Sequence, residues 1–187
     1  MPSAVTTSFG GGELALVRGA TYFADGVARE FQFGNGGIRR LARNQRGEWT
    51  HLVSGPADNP VVDQRYEYDA EGRGLLTAVH HFQGTERAWD WTYSYDLQNR
   101  LTGYSTNVRP TPDVYTWAYD EVGNRVEQTY NGATTTYHYP NPANNQLAAL
   151  SGAETEAWVY NANGFVASHT TSERQIRYRY DTHSRLI

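Results

Sequence analysis

Residues 117–139 read WAYDEVGNRVEQTYNGATTTYHY, and this stretch decides the fold. Aromatic residues alternate with other residues at both of its ends, which is the period of two that a β-strand shows. Asp120 and Gly123 stand at the first and fourth positions of a four-residue segment, where a type I turn prefers these residue types. Asn131-Gly132 is a strong signal for a two-residue hairpin turn. The stretch therefore predicts a structural unit of two strands and two turns.

The same pattern recurs along the chain. Its six copies are YEYDAEGR at 66–73, YSYDLQNRL at 93–101, WAYDEVGNRV at 117–126, YHYPNPANNQL at 137–147, WVYNANGFV at 158–166 and YRYDTHSRL at 178–186, and a weaker copy is FQFGNGG at 31–37. A single hairpin is not stable in isolation. We therefore expect the units to lie side by side, with each aromatic pair against the pair of the next unit.

Three groups of residues are expected to build this repeat. The aromatic positions are predicted to line one face of the strands: Tyr66, Tyr68, Tyr93, Tyr95, Trp117, Tyr119, Tyr137, Tyr139, Trp158, Tyr160, Tyr178 and Tyr180. The turn positions are predicted to accept backbone N–H groups or to supply glycine: Asp69, Gly72, Asp96, Asp120, Gly123, Asn161, Gly164 and Asp181. The arginines after the turns are predicted to pair with the turn aspartate or to lie over a ring of the next unit: Arg73, Arg100, Arg125 and Arg185.

Composition and charge exclude several functional classes. The chain of 187 residues has a net charge of −4, which disfavours a nucleic-acid partner, and all 16 of its basic residues are arginine. It has no cysteine, which excludes disulfides, thiolate zinc sites and cysteine nucleophiles. It contains no apolar run long enough to span a membrane, and its first residues do not read as a signal peptide.

The candidate chemical sites have simpler structural explanations. Repeated turn carboxylates could serve a glycosidase, but equivalent positions in successive units favour turn formation. Residues 34–37 (GNGG) faintly resemble a phosphate-binding loop, and a hairpin loop is the better interpretation. His80 and His81 are adjacent, so they would point to opposite faces of a strand and would not share a metal. We therefore predict no catalytic, cofactor-binding or metal-binding residue, and no enzyme.

The exposed aromatic rings leave a second hypothesis open. Trp and Tyr rings stack on sugars, and Trp89, Trp91, Trp117 and Trp158 would suit a glycan platform. Packing within the sheet is the favoured interpretation, because each repeat unit needs its neighbours to bury its apolar face. A module that binds carbohydrate or a cell surface remains the alternative function.

The motif Y-x-Y-D-x-x-G-N-R-L, followed by N-G and T-T-T-Y-x-Y, resembles the YD repeat of the Rhs (rearrangement hot spot) family. That repeat also occurs in the C component of toxin complexes and in teneurins. The resemblance covers residues 62–187 well and the first 60 residues loosely. It implies a β-strip that spirals into a hollow shell around a toxin or an unfolded polypeptide. The chain has no Asp-Pro pair, so no self-cleavage residue is assigned.

These observations lead to one set of expectations. The fold is expected to be all-β, with tandem hairpins in an open, curved antiparallel strip. Residues 1–60 are expected to be degenerate repeats or a cap, and residues 61–187 a strip of about six units. The chain stops in the middle of a unit, so we expect a fragment of a larger bacterial protein that is secreted or associated with the cell surface. Its expected role is to help enclose a toxin cargo without catalysis, bound edge to edge to neighbouring repeats or to like chains as a homo-oligomer.

Overall fold

The strands follow one another in the sheet in the order of the chain. In a computed structural model, residues 1–9, 12–141 and 143–187 are described, and none of these residues is helical. These described residues form sixteen strands in the order β1 to β16, and each strand pair whose register is described is antiparallel. The predicted all-β class and open antiparallel sheet are confirmed. No helix among the described residues is long and apolar enough to cross a membrane.

The chain divides into two compact units. The first comprises residues 1–99 and 105–112, and the second comprises residues 100–104 and 113–187. The strands of the first unit are β1 (Val5–Phe9), β2 (Gly12–Tyr22), β3 (Ala28–Phe33), β4 (Ile38–Arg43), β5 (Trp49–Gly55), β6 (Val62–Tyr68), β7 (Leu76–Gln83) and β8 (Glu86–Tyr95). β9 (Leu101–Thr106) contributes residues to both units.

The second unit continues with seven shorter strands. They are β10 (Asp113–Tyr119), β11 (Arg125–Tyr130), β12 (Ala133–His138), β13 (Ala149–Gly152), β14 (Glu156–Tyr160), β15 (Val166–Thr170) and β16 (Gln175–Arg177). The hairpin predicted at Asn131-Gly132 joins β11 to β12, and both residues have the positive φ, 47° and 86°, that a type I′ turn requires. The GNGG stretch at residues 34–37 is the predicted hairpin loop, and it joins β3 to β4.

One turn geometry closes the repeat units. In each of five turns, the fourth residue donates its N–H to the carbonyl of the first residue, at distances of 2.9–3.4 Å. The donor and acceptor residues are Gly72 and Asp69, Asn99 and Asp96, Gly123 and Asp120, Gly164 and Asn161, and Ser184 and Asp181. The fourth residue always has a positive φ, which explains why glycine occupies three of the five positions. The same bond closes turns before residue 60, from Phe23 to Gly26, from Phe33 to Gly36 and from Asn44 to Gly47.

Two of the predicted strand segments end early. Tyr139 lies beyond the end of β12, because the following Pro140 has no N–H to extend the ladder. Tyr178 lies beyond the end of β16, and Tyr180 makes only an isolated bridge to Leu186. The YRY segment at residues 178–180 therefore departs from the predicted regular strand, although Tyr178 still donates its N–H to the carbonyl of Ala167.

The sheet has little enclosed core. Five hydrophobic side chains are buried among the described residues, with 6–9% of their surface exposed: Val53, Ala78, Val79, Tyr137 and Leu150. No described large side chain is completely buried. Along β10 the residues Tyr115, Trp117 and Tyr119 are half-buried and alternate with exposed positions. In β10 the aromatic face is thus the better covered one.

Candidate functional site

The turn carboxylate of each unit is an anchor for backbone N–H groups. Asp69 accepts the N–H groups of Arg73, at 2.9 Å, and of Leu75, at 2.8 Å. Burial by itself raises the pKa of this carboxyl, but the bonds to Arg73 and Leu75 outweigh that effect and hold the pKa below its usual value. Asp69 is therefore an ionised hydrogen-bond acceptor that organises the turn.

The other turns repeat this arrangement. Asp120 accepts hydrogen bonds from the side-chain amide and the backbone N–H of Asn124, both at 2.8 Å, and these bonds lower its pKa. At Asp181 the pKa is lowered first by the backbone N–H and then by the guanidinium of Arg185. Asn161 accepts the N–H groups of Asn163 and Phe165 at 3.0 Å without any charge. A neutral amide at the equivalent position indicates that the site supplies an acceptor oxygen and not acid-base chemistry.

In four of the six motif copies, a tyrosine hydroxyl connects the repeat unit to the one before it. The second aromatic residue of the motif donates its O–H to a backbone carbonyl just after the preceding turn: Tyr95 to Leu76 at 2.9 Å, Tyr119 to Leu101 at 2.8 Å, Tyr160 to Leu147 at 2.9 Å and Tyr180 to Val166 at 3.1 Å. We call this contact the tyrosine clamp. It stabilises a unit only when the next unit is present.

The clamp was not among the predicted contacts, although the sequence contains its signal. The second aromatic position is Tyr in all six copies, whereas the first position is either Tyr or Trp. Packing alone would accept Trp or Phe at the second position as well. A constant hydroxyl therefore points to a hydrogen bond, and this difference between the two positions was available from the sequence.

The arginines after the turns also reach into the next unit. Arg73 lies 3.4 Å from Asp69, and it donates to the carbonyl of Asp96 at 3.1 Å and to the Asn99 side chain at 3.0 Å. Arg100 donates to the carbonyl of Asp120 at 2.9 Å. The predicted contacts between a guanidinium and a ring also occur, in the second compact unit of the chain. Arg100 lies 4.8 Å from the centre of the Tyr119 ring, and Arg125 lies 4.5 Å from that of Tyr137.

The expected contact between the aromatic pairs of successive units needs correction. Residues opposite the motif rings belong to the intervening strand: Val79 faces Tyr66, Leu76 faces Tyr68, Gln128 faces Trp117, Arg125 faces Tyr119, His169 faces Trp158 and Val166 faces Tyr160. The reason is geometric, because one strand lies between two successive motif strands and separates them by about 10 Å. The rings stack instead on that strand, as in Trp158 on His169 at 4.7 Å.

The histidines do not form a metal centre. His80 contacts Asp90 at 2.7 Å and Glu67 at 3.1 Å, whereas His81 stacks on Trp89 at 4.1 Å on the other face of β7. The two side chains thus separate as the period of a strand predicts. In the described part of the chain, no group of three or more His, Asp or Glu side chains is placed to hold a metal ion.

Comparison with known proteins finds similar sequences among curated bacterial proteins. No family model matches the chain. Curated relatives include the tRNA3(Ser)-specific nuclease WapA of Bacillus spizizenii and the tRNA nuclease WapA of Bacillus subtilis, each 30% identical over 170 residues. These matches cover 87% of the chain, which spans only about 7% of the length of either relative.

Solved structures show the same architecture. The chain is similar to part of a Photorhabdus luminescens Tc holotoxin pore, with a TM-score of 0.57 and 20% identity over 95% of this chain and 11% of that chain. It is also similar to part of TcdB2-TccC3 without its hypervariable C-terminal region, with a TM-score of 0.67 and 16% identity over 91% of this chain and 10% of that chain. The chain has the fold of a segment of these toxin proteins.

Proposed function

We propose that this chain is a non-catalytic structural module of an Rhs-family shell that, in its parent protein, encloses a toxin or other polypeptide cargo. The observation that carries the proposal is the tyrosine clamp, which recurs from unit to unit. A contact made only between neighbouring units serves the continuity of a wall. The likeness in fold to toxin-complex chains supports the same assignment.

The properties of the turn carboxylates support a structural role. A general acid at neutral pH needs a raised pKa, whereas the pKa values of Asp69, Asp120 and Asp181 are lowered by hydrogen bonds that hold the turns. The curated relatives are nucleases, and this chain matches a small share of their length. In our proposal the nuclease activity of those relatives resides in other parts of their chains.

The edge strands of the sheet indicate the binding partners. A strand at the edge of a sheet offers unpaired N–H and C=O groups to another strand. We propose that further YD repeats of the parent protein, or like chains, pair with β1 and β16. The parent protein would be exported, as a shell that carries a toxin must act outside the cell that makes it. At high concentration the isolated chain should form dimers or larger assemblies, and a strictly monomeric mass by light scattering would contradict edge pairing.

Protease protection tests the enclosure. The complete reading frame that contains this chain would be expressed, and the digestion of its cargo region would be compared with that in a matched frame lacking residues 61–187. A gap in the wall should make the cargo region degrade much faster. Equal rates of digestion in the two proteins would sink the proposal. A glycan array read by tryptophan fluorescence tests the carbohydrate alternative, which requires a response to particular glycans.

A further inference from the structure

A recess on the aromatic face of the first compact unit, which comprises residues 1–99 and 105–112, has the properties of a binding site. It has a volume of about 380 Å³, at the lower end of the range for ligand pockets. This size suits one or two side chains. Side chains from β4 to β7 line it: Arg39, Leu41, Trp49, Leu52, Tyr66, Tyr68 and Leu76. The walls are therefore apolar, apart from a single guanidinium.

That guanidinium differs from the one beside it in the sequence. Arg40 points to the opposite face of β4 and pairs with Glu30 at 2.8 Å. Arg39 lines the recess, and its guanidinium has no hydrogen bond or ion pair with the residues that the structure describes. An unneutralised cation beside an apolar recess favours a ligand that is apolar and carries a negative charge.

One of the two tyrosine hydroxyls around the recess is already engaged. The hydroxyl of Tyr66 donates to Gln64 at 2.9 Å. Burial raises the pKa of both tyrosines, so these hydroxyls stay protonated. The ring of Trp49 is also covered on one side by the Arg43 guanidinium, 3.9 Å from the ring centre. A sugar needs several free polar partners and an open ring, and the recess offers few of either.

We propose that this recess binds a polypeptide segment in which an aromatic or large aliphatic side chain stands next to a carboxylate. The apolar side chain enters between Leu41, Leu52 and Tyr66, and the neighbouring carboxylate pairs with Arg39. This inference rests on the proposed function, because a polypeptide cargo is what the shell would enclose. It adds the chemistry by which the wall would recognise that cargo.

Two short peptides test the inference on the intact chain. Acetyl-Phe-Glu-amide and acetyl-Phe-Gln-amide have nearly the same shape and differ in one charge, and NMR chemical shifts of the chain would report the binding of each. We expect the acidic peptide to bind about fivefold more tightly, the upper range for a solvent-exposed ion pair. Arg39→Gln should abolish this preference, and the matched control Arg40→Gln should keep it.

The contrary outcomes are equally definite. A preference that survives Arg39→Gln, an absence of binding by both peptides, or shifts in the recess caused by oligosaccharides instead would each overturn the inference. The protease experiment remains separate. If the cargo is protected while the peptides fail to bind, only the recess inference fails; if the peptides bind while the cargo is unprotected, only the enclosure fails.

Discussion

The turn at Asp69 and the turn at Asp181 share one local design but differ in their surroundings. In both, an aspartate holds backbone N–H groups and an arginine follows four residues later. The side chain of Asp69 is 6% exposed and that of Arg73 is 28% exposed, whereas the values for Asp181 and Arg185 are 20% and 75%. Arg73 also contacts the next turn, through Asp96 and Asn99, whereas the described side-chain contacts of Arg185 are with Asp181.

The two arginines differ in the residues that they contact. Arg73 directs one nitrogen to the carbonyl of Asp96 and to Asn99 in the next turn, and its contact with Asp69 is long at 3.4 Å. Arg185 instead turns back on Asp181, with both of its contacts at 2.7 Å. Local residues thus build the same turn at both positions, and Arg73 also connects its turn to the next one. Substitutions at the two turns test this difference.

The largest expected effect is a loss of folding stability at low pH, to which several turn carboxylates contribute together. The pKa values of Asp69, Asp120 and Asp181 lie below their ordinary value of 3.8 in the folded chain. The unfolded chain therefore takes up protons first, so the stabilisation is fully present above pH 5 and is lost as the pH falls through 3.8 toward the folded-state values. Urea unfolding followed by circular dichroism at pH 6 and pH 3 measures this loss. Equal unfolding midpoints would contradict it.

Removal of the turn carboxylate should lower the thermal stability more at Asp69 than at Asp181. Asp69→Ala leaves the N–H groups of Arg73 and Leu75 without partners inside the structure, and we expect Tm to fall by about 5 °C or more. Asp181→Ala exposes its donors to water, and we expect a fall of about 1–2 °C. The control Asp69→Asn should lose less than Asp69→Ala, since Asn161 fills the same position in another turn. Equal losses at positions 69 and 181 would remove the contrast.

Substitution of Arg73 should also cost more folding stability than substitution of Arg185. Arg73→Met should lower the free energy of unfolding by about 1–2 kcal/mol, because it breaks two contacts with the next turn. Arg185→Met should lower it by less than about 0.5 kcal/mol, as expected for an exposed ion pair. Denaturant titration of both variants at pH 7 measures the difference. A similar cost at both positions would show that Arg73 acts only within its own turn.

The tyrosine clamp predicts a cost for the loss of one oxygen atom. Tyr95→Phe leaves the ring in place and frees the carbonyl of Leu76, so it should cost about 1 kcal/mol. The control is Tyr178→Phe, at the first motif position, where no hydroxyl contact is described and almost no change is expected. Amide hydrogen exchange around Leu76 should also quicken in Tyr95→Phe. Unchanged stability and exchange would mean that the ring alone holds the units together.

The smallest expected effect is a gain in folding stability. Ser184 occupies the positive-φ position of the last turn, with φ 62°, where the turn at Asp69 has Gly72. Ser184→Gly should relieve the strain of a left-handed residue and stabilise the chain by about 0.5 kcal/mol, after allowance for the greater entropy of glycine when unfolded. Gly123→Ala is the reverse test, because a methyl group there meets no neighbour within 4 Å and only the backbone conformation resists it.

Much of the fold could be predicted from the sequence because its signals are local. Asn131-Gly132 specifies a turn from two residues, and Asp120 with Gly123 specifies another from four. The domain boundary at residue 60 stays a prediction. The candidate site was harder to predict, because the sequence analysis assumed that successive aromatic pairs would meet. That assumption overlooked the strand between them, and so the tyrosine clamp was missed.

By itself the sequence determined the turns, the alternation of the strands and the repetition of the unit, since each depends on residues within a few positions of one another. Only the tertiary structure decided which carbonyl receives a tyrosine hydroxyl and which arginine is shared with the next turn. It also decided that Arg40 is neutralised by Glu30, whereas the Arg39 guanidinium has no partner among the described residues. These outcomes depend on strand register and on the face to which a side chain points. Both are set by pairing between residues that lie far apart in the chain.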